Sequence, residues 1–128
     1  MDTVHEIFLA RAVPGSIGLS AIGALLPHES TEAGMHLRLG PGGITVLAPL
    51  APGMVSAVEV GQWRPLLIDH PVEVNLRPST LALDGERSLS LPTETKAHVV
   101  LSDQGPRVVD VDATLREAAM AGVFIEGP

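Results

Sequence analysis

The chain has 128 residues, no cysteine, eight basic against fifteen acidic residues, and a net charge of −7 at neutral pH. This length predicts a single domain over residues 1–128. The lack of cysteine excludes disulfides and thiolate metal sites, and the few scattered basic residues argue against nucleic-acid binding. A cysteine-free chain also fits the reducing cytoplasm. Aromatic residues are limited to one tryptophan and two phenylalanines, so the core must be built from valine, leucine, isoleucine and alanine.

The apolar stretch at residues 7–26 raises the question of a membrane segment. Arg11, Pro14 and three glycines interrupt this stretch, and its flanks lack basic residues that would anchor it in a bilayer. A signal peptide would begin with positive charge, whereas residues 1–6 contain two acidic residues and no lysine or arginine. We therefore expect a soluble, cytoplasmic protein rather than a membrane-associated one.

The first elements are a strand and a helix joined by a glycine-rich turn. Residues 4–12 alternate in character and predict a strand, and residues 16–26 predict a helix with Ser16 as its N-cap and Pro27 after its end. One face of this helix carries Gly18, Ala21, Ile22 and Leu25. Two interpretations of the turn stay open. It either caps the helix or forms an anion site from free N–H groups and glycine backbone that a ligand can approach closely.

Short strands separated by proline and glycine fill the middle of the chain. After a polar loop at residues 27–34, residues 35–39 alternate cleanly and predict a half-buried strand. The Gly-Pro-Gly-Gly segment at 40–43 predicts a tight turn, from which residues 44–47 run back to complete a hairpin. The segment lacks the following helix that a dinucleotide or phosphate-loop fingerprint requires. Next come a proline-rich connection, a strand candidate and an irregular apolar segment, at residues 48–53, 55–60 and 63–68.

Two segments beyond the middle of the chain carry clear strand signals. Residues 72–77 alternate well and predict a strand. Residues 81–91 predict a hairpin centred on Asp84 and Gly85, because Asp-Gly between alternating segments is the strongest short hairpin signal. The pattern favours Asp84 as a turn residue, with a ligand role as the alternative.

The C-terminal part predicts one further strand pair and a helix. The strand pair consists of residues 97–102 and 107–111, where two aspartates at positions 110 and 112 are expected to face solvent. Residues 114–117 form a capping box, and Gly122 stands where a helix commonly ends. Eight to ten short strands with two helices and no alternation of strand and helix predict a mainly β, β-rich α+β domain. We expect a two-sheet sandwich against which the first helix packs.

Candidate chemical groups are sparse. The five histidines show no metal-ligand spacing, and they lie at positions 5, 28, 36, 70 and 98. His36 and His98 alternate with apolar neighbours, which predicts exposed strand positions for both. Ser16 and Ser20 lie in no nucleophile-elbow motif, which argues against a hydrolase.

Three segments together resemble ATP-dependent NAD kinases. Residues 14–21, Pro-Gly-Ser-Ile-Gly-Leu-Ser-Ala, resemble the Thr-Gly-Ser-Thr-Ala-Tyr-Ser-Leu-Ser loop and helix of that family. Residues 46–53 resemble its Leu-Thr-Pro-Ile-Cys-Pro-His stretch, followed here, as there, by Arg-Pro-Leu at residues 64–66. Residues 83–86, Leu-Asp-Gly-Glu, resemble its Phe-Asp-Gly-Gln hairpin and the Asp-Gly-Glu of the related diacylglycerol- and sphingosine-type lipid kinases. The order matches over nearly the whole chain, and the most similar branch is the divergent one that includes acetoin-catabolism X proteins.

The resemblance implies the β-rich C-terminal domain of the kinase, which supplies NAD contacts and subunit contacts. NAD(H) would then lie beside Gly15, Ser16, Ile17, Gly18, Leu19 and Ser20, with Asp84 as a further ligand residue. Leu19 replaces the family's tyrosine and Ile17 its second threonine. The Gly-Gly-Asp-Gly motif that carries the catalytic aspartate belongs to an N-terminal α/β domain that nothing in this chain resembles. No catalytic residue and no metal ligand is therefore assigned here.

Two hypotheses of different class remain. In the first, the chain is the NAD(H)-binding and oligomerisation part of an ATP-NAD kinase-like enzyme. It is then inactive alone and completed by a separate N-terminal kinase half, and ATP and Mg²⁺ act only in the complete enzyme. In the second, it is a stand-alone, non-catalytic β module for oligomerisation or ligand sensing. Both predict a homo-oligomer with no nucleic-acid or membrane partner. A reading frame just upstream that encodes a Gly-Gly-Asp-Gly α/β domain would favour the first hypothesis.

Overall fold

A computed structural model describes residues 4–29 and 34–127, so the predicted loop at 27–34 lies partly outside the described residues. The described residues form seven strands and two helices. In chain order these are β1 (Glu6–Leu9), α1 (Leu19–Ala24), β2 (Gly34–Ala51), β3 (Met54–Leu66), β4 (Val72–Glu73), β5 (Ser79–Leu83), β6 (Arg87–Leu91), β7 (His98–Val99) and α2 (Val111–Met120). The strands pair as three antiparallel sheets, β1-β2-β3, β4-β7 and β5-β6. No helix in the described part of the chain is long and apolar enough to cross a membrane.

The β1-β2-β3 sheet and α1 enclose the main core. Ile7, Leu37 and Ile22 are buried members of one cluster, drawn from β1, β2 and α1 respectively. The helix lies close to the sheet at Gly23, where an added Cβ would meet the side chain of Leu9 and come within 3.5 Å of Leu37 Cδ1. Burying an aliphatic side chain of this size contributes about 1.5–3 kcal/mol, so this face of the sheet accounts for much of the driving force for folding.

The glycine segment at 40–43 is part of a strand, and the predicted tight turn with its hairpin to residues 44–47 is wrong. Leu39 and Ile44 both pair with Val60, so the four residues between them bulge out of a single long strand, β2. The hairpin turn comes later, at residues 52–53, between Ala51 and Met54. Gly43 has to be a glycine because an added Cβ would collide with the backbone carbonyl of Val60.

The bulge also explains why β2 does not keep a simple alternation. Before the bulge the buried apolar residues are Met35 and Leu37, at odd positions, and after it they are Val46 and Ala48, at even positions. Because successive strand residues point to opposite faces, an insertion of this kind is needed to keep both pairs in the same cluster. The tertiary core therefore determines the register of β2.

The predicted first helix is shorter than its sequence pattern, and its cap is different. Helix α1 covers six residues, Leu19–Ala24, and its N-cap is Gly18, without a side-chain cap. The Ser16 hydroxyl donates to the Val13 carbonyl oxygen at 2.6 Å, so it belongs to the preceding turn rather than to the helix. On the predicted helix face Ala21 is buried, whereas Leu25 is half exposed.

Beyond Leu66 some predictions are confirmed and others are wrong. The Asp84-Gly85 hairpin is confirmed, since both residues have positive φ and β5 pairs with β6 around them. The predicted strand at 72–77 shrinks to β4, which pairs with β7 at two positions and is followed by one more bond, from the Val74 N–H to the Ala97 carbonyl oxygen. Residues 107–111 form no strand, so the predicted pair with 97–102 is wrong.

The C-terminal helix begins earlier than the capping box predicts. The Asp110 side chain accepts a hydrogen bond from the Ala113 N–H at 2.9 Å and caps α2 at Val111. Asp110 and Asp112 therefore lie at the start of a helix, not on a strand edge. Gly122, with φ of 72°, follows the end of the helix as predicted. The mainly β class is confirmed, but the described residues form seven strands in three separate sheets rather than the expected two-sheet sandwich of eight to ten strands.

Candidate functional site

A polar concavity lies on the β1-β2-β3 sheet. It has a volume of about 520 Å³ and is lined by His36, Arg38, Gln62, Trp63 and Arg64. The pairing of the strands explains this clustering, because His36 lies opposite Arg64 and Arg38 lies opposite Gln62. These four residues alternate with Leu37 and Trp63, which belong to the core or pack against it, so they share the sheet face away from α1.

His36 is the buried centre of this polar group, and the prediction of an exposed position is wrong. The residue is 3% exposed, and its ring stacks on Phe8 with centroids 4.4 Å apart. Arg64 Nε donates to His36 Nδ1 at 3.3 Å, which requires an unprotonated Nδ1 and assigns the ring proton to Nε2. Burial lowers the pKa of His36; nearby Glu6 opposes this shift, and Arg64 and Arg38 add to it. The ring is therefore neutral at pH 7.

Glu6 connects His36 to Arg38 across the first two strands. Its Oε1 lies 3.3 Å from Arg38 Nε and 3.9 Å from His36 Nε2, the second distance being too long for a hydrogen bond. Within the described residues, the buried atoms Glu6 Oε2 and His36 Nε2 have no hydrogen-bond partner. A smaller cavity of about 260 Å³ adjoins Glu6 and Arg38.

The predicted dinucleotide-binding residues form a partly exposed turn and the first two residues of α1. The N–H groups of Ser16 and Gly18 are already used, donating to Val13 O at 3.3 Å and to Pro49 O at 2.9 Å. Gly15 and Gly18 have φ of 86° and 100°, and nothing lies within 4 Å of where their Cβ atoms would be. Gly15, Ser16, Ile17, Gly18, Leu19 and Ser20 line neither of the two cavities described above. Their role in NAD(H) binding stays a prediction.

The three segments that carry the NAD kinase resemblance are only partly brought together. The bond from Gly18 N–H to Pro49 O joins the first segment to the second. Asp84, in the third segment, pairs with Arg87 of its own hairpin at 2.9 Å, and both side chains are largely exposed. This geometry is that of a turn residue, and the ligand role of Asp84 stays a prediction.

The cavity residues lie too far apart in the chain to be identified as one site from the sequence. One signal was present, since the alternation of Met35-His36-Leu37-Arg38 puts His36 and Arg38 on the same face. Only strand pairing brings Glu6 and Arg64 to them. Within the described residues no group of histidine and acidic side chains could hold a metal ion.

Comparisons with known proteins identify the family. Residues 1–104 match the family of acetoin catabolism protein X C-terminal domains. The chain is 36% identical over 122 residues to acetoin catabolism protein X of Cupriavidus necator, an alignment that covers 91% of this chain and 34% of that protein. The chain thus spans about a third of the length of that relative. No solved structure matches it. The chain belongs to the acetoin catabolism protein X C-terminal domain family.

Proposed function

We propose that the chain is the NAD(H)-binding and subunit-association part of an ATP-NAD kinase-like enzyme. The complete enzyme would transfer a phosphoryl group from ATP to NAD, and an α/β partner with the Gly-Gly-Asp-Gly motif would supply the catalytic aspartate. Phosphoryl transfer depends on positioning and charge stabilisation, so a chain without those groups is inactive alone. The proposal rests on the resemblance of three segments in the same order as in the kinases.

The observation that carries the proposal is the hydrogen bond from Gly18 N–H to Pro49 O, 2.9 Å long. It joins two of the three resembling segments, although thirty-one positions separate these residues along the chain. Beside it, Gly15 and Gly18 leave open space above their backbone. Backbone without side chains can be approached closely by a ribose or a diphosphate, which supports a role for this turn in holding a dinucleotide.

Calorimetry with NAD and NADH at millimolar concentration tests the binding. Ile17 lies between the two glycines and is exposed, so Ile17→Asp adds a carboxylate to the turn without straining its backbone. We expect this change to weaken NAD(H) binding by roughly tenfold through charge repulsion. Leu25→Asp makes the same change at the other end of α1 and should bind as the wild type does. Absence of heat with wild-type protein and either ligand would overturn the proposal.

Activity provides a separate test. The chain alone should form no NADP from NAD, ATP and Mg²⁺. Adding an upstream Gly-Gly-Asp-Gly partner should restore turnover. Turnover by the chain alone, abolished by a substitution within it, would contradict the proposal that a separate partner supplies the catalytic aspartate.

A second candidate, a non-catalytic module for association, is favoured by the exposed apolar surface near the C-terminus. Its most exposed residues, between 66% and 86% accessible, are Val108, Val109, Met120, Val123, Phe124 and Ile125. Contiguous exposed apolar surface is typical of protein interfaces, which supports an association role for this segment. Light scattering after size-exclusion chromatography should find a dimer or larger, and deletion of residues 105–127 should give a monomer. A dimer that persists in the deletion variant would place the interface elsewhere.

A further inference from the structure

The cavity on the β1-β2-β3 sheet carries positive charge in an acidic protein. The chain has a net charge of −7, yet two of its eight basic residues, Arg38 and Arg64, line this one cavity. Glu6 neutralises one of them, and His36 is neutral. The described residues provide no carboxylate within ion-pair distance of Arg64, so the cavity has a surplus positive charge.

Both arginines are held in place through the same atom. Arg38 Nε lies 3.3 Å from Glu6 Oε1, and Arg64 Nε donates to His36 Nδ1 at 3.3 Å. Among the described residues, no hydrogen bond is made by an Nη nitrogen of Arg38 or Arg64. A guanidinium fixed at Nε keeps its two terminal nitrogens available as a preorganised pair of donors, the arrangement that suits carboxylates and phosphates.

Stability does not explain this group of residues. His36 Nε2 and Glu6 Oε2 are buried without a partner in the described chain, and an unpaired buried polar atom opposes folding. Apolar residues in place of Glu6 and His36 would pack without that penalty. Unsatisfied buried polar groups are uncommon in proteins, and one accepted reason for them is function.

We propose that this cavity binds an oxyanion, a phosphate or carboxylate group carried on a small molecule. The Nη groups of Arg64 and Arg38 and the side-chain amide of Gln62 donate to the anion. A volume of about 520 Å³ is within the range of ligand sites and larger than a bare inorganic anion needs. The site is independent of the glycine turn, because it lies on the sheet face away from α1.

Calorimetric titration of the full chain with pyrophosphate and with citrate, at constant ionic strength, tests the proposal. The two ligands distinguish a phosphate from a carboxylate as the source of the oxyanion. Trp63 is the only tryptophan, so a change of its fluorescence gives a second signal from the cavity itself. Stronger binding of pyrophosphate identifies a phosphate ligand, and stronger binding of citrate identifies a carboxylate. Binding of neither at millimolar concentration overturns the proposal.

Two variants and one control locate the site. Arg64→Gln should weaken binding by roughly tenfold or more, the loss of one charged donor. Gln62→Glu places a carboxylate in the cavity without removing any hydrogen bond of the described structure, so it tests the site even if Arg64→Gln folds poorly. Arg116→Gln changes the net charge as Arg64→Gln does, but on the exposed helix α2.

The outcomes separate this proposal from the NAD(H) proposal. Ile17→Asp should leave pyrophosphate or citrate binding unchanged, because Ile17 lines neither cavity. Equal losses of binding affinity in Arg64→Gln and Arg116→Gln would indicate an effect of net charge alone and would overturn the cavity site. Unchanged binding in Gln62→Glu would overturn it as well.

Discussion

The part of the chain up to Leu66 and the part after it differ in what their strands pack against. All but two of the buried apolar residues belong to the first part, where β2 and β3 share a long pairing and α1 covers one face. The second part contains two sheets of two strands and a helix, α2, with no buried residue. Two-stranded sheets have little independent stability, because they cannot bury a common face. The family match also ends at residue 104, before α2 begins.

This difference shows that alternation of apolar and polar residues is not sufficient to form a half-buried strand. Residues 72–77 alternate as cleanly as residues 35–39. Only the latter have a strand on each side, the four-residue β1 and the long β3, to extend their hydrogen bonding. Residues 72–77 meet the two-residue strand β7, and among them only Val74 is buried. The available partner therefore decides how long each strand becomes.

The largest expected effect contrasts a core leucine with an exposed one. Leu37 is fully buried, so Leu37→Ala should lower the free energy of unfolding by about 2–5 kcal/mol. Leu115→Ala, the same change on α2, should alter it by less than about 0.5 kcal/mol. Urea denaturation followed by circular dichroism measures both. Similar losses in the two variants would mean that α2 is packed as tightly as the central sheet.

A smaller effect is expected where the backbone itself is close-packed. Gly43→Ala would drive a methyl group into the Val60 carbonyl oxygen, so it should cost about 1–3 kcal/mol. Gly105→Ala is the matched control, since no atom lies within 4 Å of its Cβ position and its φ is not positive. It should change stability by less than about 0.5 kcal/mol. The same denaturation experiment applies, and a neutral Gly43→Ala would argue against the bulge in β2.

The smallest expected effect is a pH dependence confined to the first part of the chain. Burial lowers the pKa of His36 below its ordinary 6.5, so the unfolded chain takes up this proton before the folded chain does. The contribution of neutral His36 to the free energy of unfolding is therefore complete above pH 6.5. It is lost as the pH falls through that value toward the lower folded-state pKa.

Thermal melting between pH 8 and about pH 5.5 measures this dependence. His36→Gln should flatten it. His98→Gln, at an exposed position of β7, should keep the wild-type slope. A wild-type slope in His36→Gln would show that another group is responsible.

The sequence by itself determined the features that depend on neighbouring residues. The Asp84-Gly85 hairpin follows from two adjacent residues that tolerate positive φ, and the Gly122 helix end follows from one. The mainly β class follows from strand-length alternation between proline and glycine. Membership of the acetoin catabolism protein X family was likewise visible, in three short segments, whereas their link to NAD binding stays a proposal.

Only the tertiary structure decided the features that depend on pairing between distant segments. The Gly-Pro-Gly-Gly segment has the composition of a turn, and it forms a bulge because β3 lies alongside β2 on both sides of it. His36 alternates like an exposed residue, and it is buried because Phe8 and Arg64 are brought to it by β1 and β3. Local composition limits the conformations that a segment can adopt. The free-energy differences among those conformations are smaller than the gain from burying the core, so core packing selects the conformation.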